Sequence, residues 1–362
     1  NGFRTDLLNK ILGANPHLVV MSRAGEVADH DALMERCLRI GGVIGAAPFV
    51  QSQVMVSRGG RGAGAVMKGI EPASVSMVVP LAETIKEGSL EALERDRHEG
   101  PSAVIGMELA RLLGAGIGSR LTVVSPEGRL TPLGRVPNSG SFVVSGIFDT
   151  GMYEHDVSML FVGLSDARDF LGMGGRVSGI DLRLQNPGAA VRAAERVAGE
   201  LGDAFLVRDW ISNNRSLFAA LRLEKVTMFV ILAMMVLVGA LNIISTLVMV
   251  VMEKTGDLTI LRVMGATRRS VMGIFVIQGV VIGLVGTVFG IASGLGICRL
   301  LATWDMVSLP VDMSYLLSVP VRVEMTDVWV VAASAFFLSF LATIYPSWRA
   351  SKLNPAEAIR YG

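Results

Sequence analysis

Three long runs without a charged side chain decide what this chain can become: Val226–Met252, Val271–Cys298 and Val328–Tyr345. A helix needs about 20 mainly apolar residues, at about 1.5 Å rise each, to cross a bilayer. The first two runs are long enough to cross with tilt. The third reaches span length only with its flanks. Overall composition agrees: 51% of residues are hydrophobic, mean hydropathy is +0.52 and 18% are charged, against roughly 25% in soluble domains. The charges are unevenly placed. Residues 226–362 hold nine of the 33 Lys and Arg and seven of the 32 Asp and Glu. Residues 1–225 therefore read as a water-soluble domain and the rest as a membrane domain. A net charge of +1 gives no bulk electrostatic case for nucleic acid. The two cysteines, Cys37 and Cys298, make neither a disulfide framework nor a zinc spacing.

Orientation follows from the loops. Lys254, Arg262, Arg268 and Arg269 lie between the first two runs, and Arg349, Lys352 and Arg360 lie in the tail. The opposite loop, residues 299–327, holds Arg299 and Arg322 against Asp305, Asp312, Glu324 and Asp327. The positive-inside rule places the 253–270 loop and the tail in the cytoplasm. Three crossings then put residues 1–225 outside. An exported domain needs a signal, and Asn1-Gly2-Phe3-Arg4 supplies none. An upstream transmembrane helix is therefore expected, giving four spans with both ends inside.

The outer domain reads as α+β. Strands are expected at His17–Ser22, Met159–Val162 and Gly179–Leu184, with one or two more over Val43–Ser57. Helices are expected at Asp31–Ile40, Asp166–Leu171 and Pro187–Leu201. Ala103–Gly118 reads as a strand entering a helix that a glycine ends. Leu121–Ser125 and Phe142–Phe148 read as strands around a turn-rich insert. Ser57–Gly64 (SRGGRGAG) lacks the Gly-Lys-Ser/Thr ending of a P-loop and reads as a hairpin loop. Asn213–Lys225 is helical and runs into the first span without a breaker. It either couples the outer domain to the membrane or packs on its own domain.

In the second span Gly279, Gly283, Gly286, Gly290 and Gly294 form a smooth stripe on which another helix can pack. Asn242 and Gln278 need partners in lipid, and an interhelical hydrogen bond is the simpler expectation. The runs contain no Asp, Glu, His or Lys to relay protons, which argues against an ion-coupled transporter. The loop Glu253–Arg269 (EKTGDLTILRVMGATRR) is amphipathic, with Gly265 expected at the C-cap. It reads as a compact helix facing a cytosolic partner or as an interfacial helix lying in the headgroups.

These residues carry a resemblance. Glu253, Lys254, Thr255, Gly256 and Asp257, with Leu258 to Thr267, resemble the coupling-helix signature of FtsX/MacB-type ABC transporter permeases. Tyr345-Pro346-Ser347-Trp348-Arg349-Ala350 and Asn354–Tyr361 resemble the C-terminal signature of the lipoprotein-releasing permeases LolC and LolE. Ile105–Ala110 is similar to the outer domain of the same families. The resemblance implies a periplasmic α+β domain over residues 1–212, a connecting helix over 213–225 and a permease domain over 226–362. The permease domain would hold helices at 226–252, 271–298 and 328–345, a coupling helix at 253–265 and a cytoplasmic tail at 346–362. It implies an inner-membrane subunit without chemistry or metal of its own. ATP and Mg would be used by a separate LolD-type ATPase docked on Glu253–Gly265, with Leu261, Arg262, Met264 and Gly265 among the coupling residues. A second LolC/LolE-type permease would complete a homo- or heterodimer. Lipoprotein would be passed to a LolA-type periplasmic chaperone.

Pro132-Leu133-Gly134-Arg135-Val136-Pro137 resembles the Hook hairpin by which LolC recruits that chaperone, with an ordinary Pro/Gly turn as the alternative. Phe218, Leu221, Met228, Phe229 and Leu232 are expected to line the lipoprotein cavity at the outer end of the first span. Gly151–Glu154 suits either LolC or LolE. The competing readings are a MacB-type efflux permease, whose ATPase lies on the same polypeptide, and an FtsX-like regulator of a cell-wall hydrolase, whose outer domain is usually smaller.

Overall fold

A computed structural model describes residues 8, 10–95, 100–131, 134–303, 323 and 325–351. The chain divides into two units, with the boundary between Phe218 and Ala219.

The first unit is built on one ten-stranded mixed sheet among the described residues. Its strands are β1 (Leu18–Ser22), β2 (Val43–Arg58), β3 (Arg61–Ile70), β4 (Ile85–Gly88), β5 (Ser102–Gly106), β6 (Arg120–Thr131), β7 (Gly134–Phe148), β8 (Met159–Gly163), β9 (Gly179–Leu184) and β10 (Phe205–Asp209). The spatial order is β10-β1-β9-β2-β3-β8-β5-β7-β4, with β6 paired to β2 and β7. Pairs β3–β8 and β5–β7 are parallel. Helices α1 (His30–Leu38), α2 (Pro72–Val78), α3 (Ala92–Arg95), α4 (Met107–Leu113), α5 (Tyr153–Ser158), α6 (Leu164–Leu171), α7 (Ala190–Leu201) and α8 (Trp210–Asn213) lie between them.

The residue pattern of β2 accounts for its length of 16 residues. Its second half alternates, with Ser52, Val54 and Val56 buried and Gln51, Gln53 and Met55 exposed, as a strand with one wet face requires. Its first half is buried almost throughout, because α2 covers the other face there. A Cβ on Gly45 would lie 2.7 Å from the Met77 carbonyl oxygen, so only glycine permits that approach. Two apolar clusters result. The larger joins Leu18, Val50, Met67, Leu109 and Leu160, and the smaller joins Ile70, Val78, Leu81, Phe148 and Phe161.

Several local expectations are refined. Val43–Ser57 is a single strand. The hairpin turn of the Gly-rich segment is only Gly59-Gly60, both at positive φ (56° and 83°), as a two-residue turn matched to strand twist requires. Gly62 and Gly64 belong to β3. The insert between residues 125 and 142 is mostly strand, because β6 and β7 pair out to Thr131–Gly134. A 3₁₀ turn at Pro187–Ala189 precedes α7. Asp29 caps α1, its carboxylate accepting from the Ala32 N–H at 3.2 Å. Gly114, at φ 61°, ends α4.

The second unit contains α9 (Arg215–Glu253, most of which lies in this unit), α10 (Thr255–Val263), α11 (Arg268–Thr303) and α12 (Met325–Ser351). Residues 215–253, 268–301 and 328–348 are long and apolar enough to cross a membrane. Helix α12 continues through Pro346.

Candidate functional site

Helix α10 is a defined object between two spans. Thr255 Oγ1 donates to the Val251 carbonyl at 2.9 Å, and Thr259 Oγ1 to the Thr255 carbonyl at 2.8 Å. Leu258 packs inward with Val251, Val271 and Phe275. The C-terminus closes by a Schellman motif: Gly265 N–H donates to Arg262 at 3.1 Å and Ala266 N–H to Leu261 at 3.0 Å. Met264 is the cap, and Gly265, expected there, sits one residue beyond at φ 104°. Thr267 then caps α11 through the Ser270 N–H at 3.2 Å.

The opposite face is bare. Ile260 is 61% exposed, Leu261 41%, Val263 69% and Met264 80%. Glu253 ends α9, and the exposed Lys254 ammonium bonds Asp257 at 3.0 Å. That hydrogen bond and charge raise the Lys254 pKa. Gly256 is exposed and Arg262 half-buried.

The β6–β7 hairpin carries the expected chaperone segment. Pro132 and Leu133 lie outside the described residues. Gly134, Arg135, Val136 and Pro137 open β7, with Thr131 paired to Gly134, Leu130 to Arg135 and Arg129 to Val136. β6 pairs with β2 only over Thr122–Val124. Beyond that point the hairpin's ladder runs between its own two strands. Its base is anchored by Asn138, whose Nδ2 donates to the Phe170 carbonyl at 2.7 Å. The Phe142 and Phe170 rings meet edge to face at 5.6 Å.

Of the five expected cavity residues, Phe218 packs edge to face on Trp210 at 5.3 Å and joins the outer-domain core. Leu221 is half-buried, and Met228, Phe229 and Leu232 are 56%, 70% and 52% exposed. The foot of α9 thus packs on its own domain, and the helix also continues unbroken over 39 residues.

The glycine stripe divides in two. A Cβ on Gly279 would lie 2.0 Å from Thr343 Cγ2, and one on Gly283 would lie 2.6 Å from Ser339 Oγ. These two glycines let α11 and α12 touch. Gly286, Gly290 and Gly294 have open space beside them. They line a groove of about 710 Å³ with Ile243, Cys298 and Val331. Sequence reasoning saw the stripe but not this division, which depends on where α12 ends its contact. Asn242 Oδ1 accepts from Thr246 Oγ1 on the same helix at 3.5 Å. Gln278 is half-buried. Among the described residues no cluster of three His, Cys, Asp or Glu side chains is placed to hold a metal.

Comparison with known proteins matches the same two parts. The model of the MacB-like periplasmic core domain matches residues 1–200, and that of the FtsX-like permease C-terminal domain matches residues 229–355. The lipoprotein-releasing system transmembrane protein LolC of Neisseria meningitidis serogroup B is 36% identical, the alignment covering 100% of this chain and 88% of the relative. LolC of Xylella fastidiosa (strain Temecula1) is 32% identical at the same coverage. LolE of Haemophilus influenzae is 26% identical over 99% of this chain and 88% of the relative. With its whole length aligned at this identity and both halves matched in order, the chain belongs to the LolC/LolE family of ABC transporter permeases, a MacB-like periplasmic core joined to an FtsX-type membrane domain.

Proposed function

We propose that this chain is the permease subunit of an ATP-driven transporter that extracts outer-membrane lipoproteins from the bacterial inner membrane and passes them to a LolA-type periplasmic chaperone. The observation that carries this reading is α10, a capped helix between two spans that turns Ile260, Leu261, Val263 and Met264 outward. On the cytoplasmic side such a face needs a cover, and a separate LolD-type ATPase is the proposed one. ATP and Mg belong to that subunit; this chain binds no cofactor and performs no chemistry. Helix α9, of which only Leu247 and Val251 are fully buried among the described residues, is covered by a second LolC/LolE-type permease. The lipoprotein's acyl chains occupy the apolar surface around Leu221, Met228, Phe229 and Leu232.

The energetics require an engine. Each buried methylene holds a lipid chain by about 0.8 kcal/mol, so an anchor with several chains does not leave spontaneously. Work done on α10 reaches the lipid through stiff helices, and the β6–β7 hairpin presents the chaperone's docking strand. The test is reconstitution of the chain with its ATPase and partner permease in liposomes. Added lipoprotein should stimulate ATP hydrolysis and appear in solution bound to chaperone. Unchanged hydrolysis with no release would remove the reading. Photo-cross-linkers at Phe218, Leu221, Met228, Phe229 and Leu232 should capture lipoprotein; capture from none of them would remove the cavity assignment.

A further inference from the structure

The chain turns from the outer-domain sheet into α9 at an interrupted corner, and that corner is braced. Asn214, between α8 and α9, sits at φ −112° and ψ 34°, outside the helical region. Hinges form at such element-terminal positions, which absorb backbone rotation. Two side chains oppose bending here. The Asn214 N–H turns to the Ile211 carbonyl at 3.1 Å, three residues back. Its side chain makes the connection an α-helix would make, Nδ2 donating to the Trp210 carbonyl at 2.8 Å, four residues back. The Trp210 indole then meets the Phe218 ring edge to face at 5.3 Å, linking α8 to α9 across the break.

The near end of the brace is tied to the sheet. Trp210 is buried. Its indole N–H donates to the Pro187 carbonyl at 3.1 Å, in the turn before α7. Its backbone N–H donates to the His17 carbonyl at 3.2 Å, just before β1. Asp209, at the end of β10, caps α8: its Oδ1 accepts from the Ile211 and Ser212 N–H groups at 3.0 and 2.9 Å. A tryptophan suits the place because its ring can pack on one partner while its N–H reaches another. Three separate segments therefore hold one end of a strut whose other end is the foot of α9.

We propose that Trp210 and Asn214 are positioning residues for transport: they lock this corner, so that movement of α9 carries the sheet edge at β10 and β1 with it. The inference rests on the transport reading above. With a loose corner, movement driven by the ATPase would bend the chain at Asn214 and leave the outer domain behind. ATP would still be hydrolysed, but less lipoprotein would reach the chaperone.

Two measurements test it on the full chain assembled with its ATPase and partner permease in liposomes. The first reads lipoprotein released to chaperone per ATP hydrolysed. Asn214→Gly removes the amide and frees the backbone, and should lower that ratio several-fold while hydrolysis continues. Trp210→Phe keeps a ring for Phe218 but deletes the bond to Pro187, and should lower the ratio less. A ratio unchanged in either variant overturns that residue's role, even where both rates fall together, because a merely structural loss removes active complexes without changing their coupling. The second measurement needs no cargo. Spin labels replace the exposed Arg192 on α7 and Arg222 on α9, in one permease copy with Cys298→Ala. The distance distribution should be single and narrow in the otherwise unaltered chain and broad with Asn214→Gly. A broad distribution without Asn214→Gly overturns the locked corner even where transport is intact. A complex that hydrolyses ATP but releases no lipoprotein, with a narrow distribution, would instead remove the transport reading and leave the corner rigid.

Discussion

The two units bury apolar surface by opposite rules. In the outer domain Leu18, Val20, Met67, Ile105, Leu160 and Val162 are fully enclosed in one apolar cluster. In the membrane unit Phe229, Met249, Phe289 and Trp329 are each at least 70% exposed. The same side chains that drive folding in water are simply solvated by lipid. Helices there meet through shape, as at Gly279 and Gly283, and not through exclusion of apolar area. The lesson is that exposure marks an interface only where the surrounding solvent is water. On the proposed orientation the bare face of α10 meets that condition, whereas the bare face of α9 does not by itself.

The largest effect expected from that contrast is at α10. Leu261→Asp should abolish co-purification of the ATPase in mild detergent while leaving the chain in the membrane, whereas Val238→Asn on the exposed side of α9 should not. Retained ATPase with Leu261→Asp would place docking elsewhere. Next comes the helix contact. Gly279→Leu should drive α11 off Thr343 at a cost of roughly 1–3 kcal/mol or more, read as loss of thermal stability. Gly290→Leu, which faces the open groove, should be nearly neutral. Equal effects would mean the two halves of the stripe do not differ.

In the water-soluble unit, titration of buried groups should matter, whereas the three apolar runs carry no charged side chain. Burial first, and Lys68 second, lower the His155 pKa to about 4 from 6.5. Burial first raises the Asp156 pKa to about 6, with Asp149 adding to it and hydrogen bonds from Thr150 opposing it. The signs oppose. Neutral His155 contributes stability that is present above pH 6.5 and lost as pH falls through about 4. Asp156, held protonated, contributes stability present below pH 3.8 and lost as pH rises through about 6. Each is on the order of 3 kcal/mol, so wild type should show little net pH dependence from this pair. Asp156→Asn should expose acid lability between pH 6.5 and 4, and His155→Gln should expose the reverse slope, both read from Tm against pH.

The smallest effect expected is on the hairpin. Arg135→Glu should weaken chaperone pull-down several-fold and leave ATPase assembly intact. Unchanged pull-down would return the hairpin to an ordinary turn.

Much of the outer fold was legible where a strand or helix carried its own pattern. β1, β8 and β9 are short apolar runs bounded by breakers, and α1 and α4 have capping residues at their ends. β3 (RGAGAVMKGI) was not legible, because three glycines and a lysine disguise a strand whose burial comes from β2 and β8 beside it. β4 and β10 were missed for the same reason: four and five residues hold too little pattern of their own. The hairpin's outer half was read as turns because Pro, Gly and Ser punctuate it, yet cross-strand pairing extends through them.

The three apolar stretches long enough to cross a membrane and the amphipathic helix between the first two were legible in sequence alone. They depend on summed hydropathy, charge count and helical spacing, all local quantities. Only tertiary structure decided which glycines touch another helix and which border a groove, and that Lys68 meets Asp181 across 113 residues of chain. Contacts between distant segments depend on how the sheet and the helices assemble, and no window of sequence contains both partners.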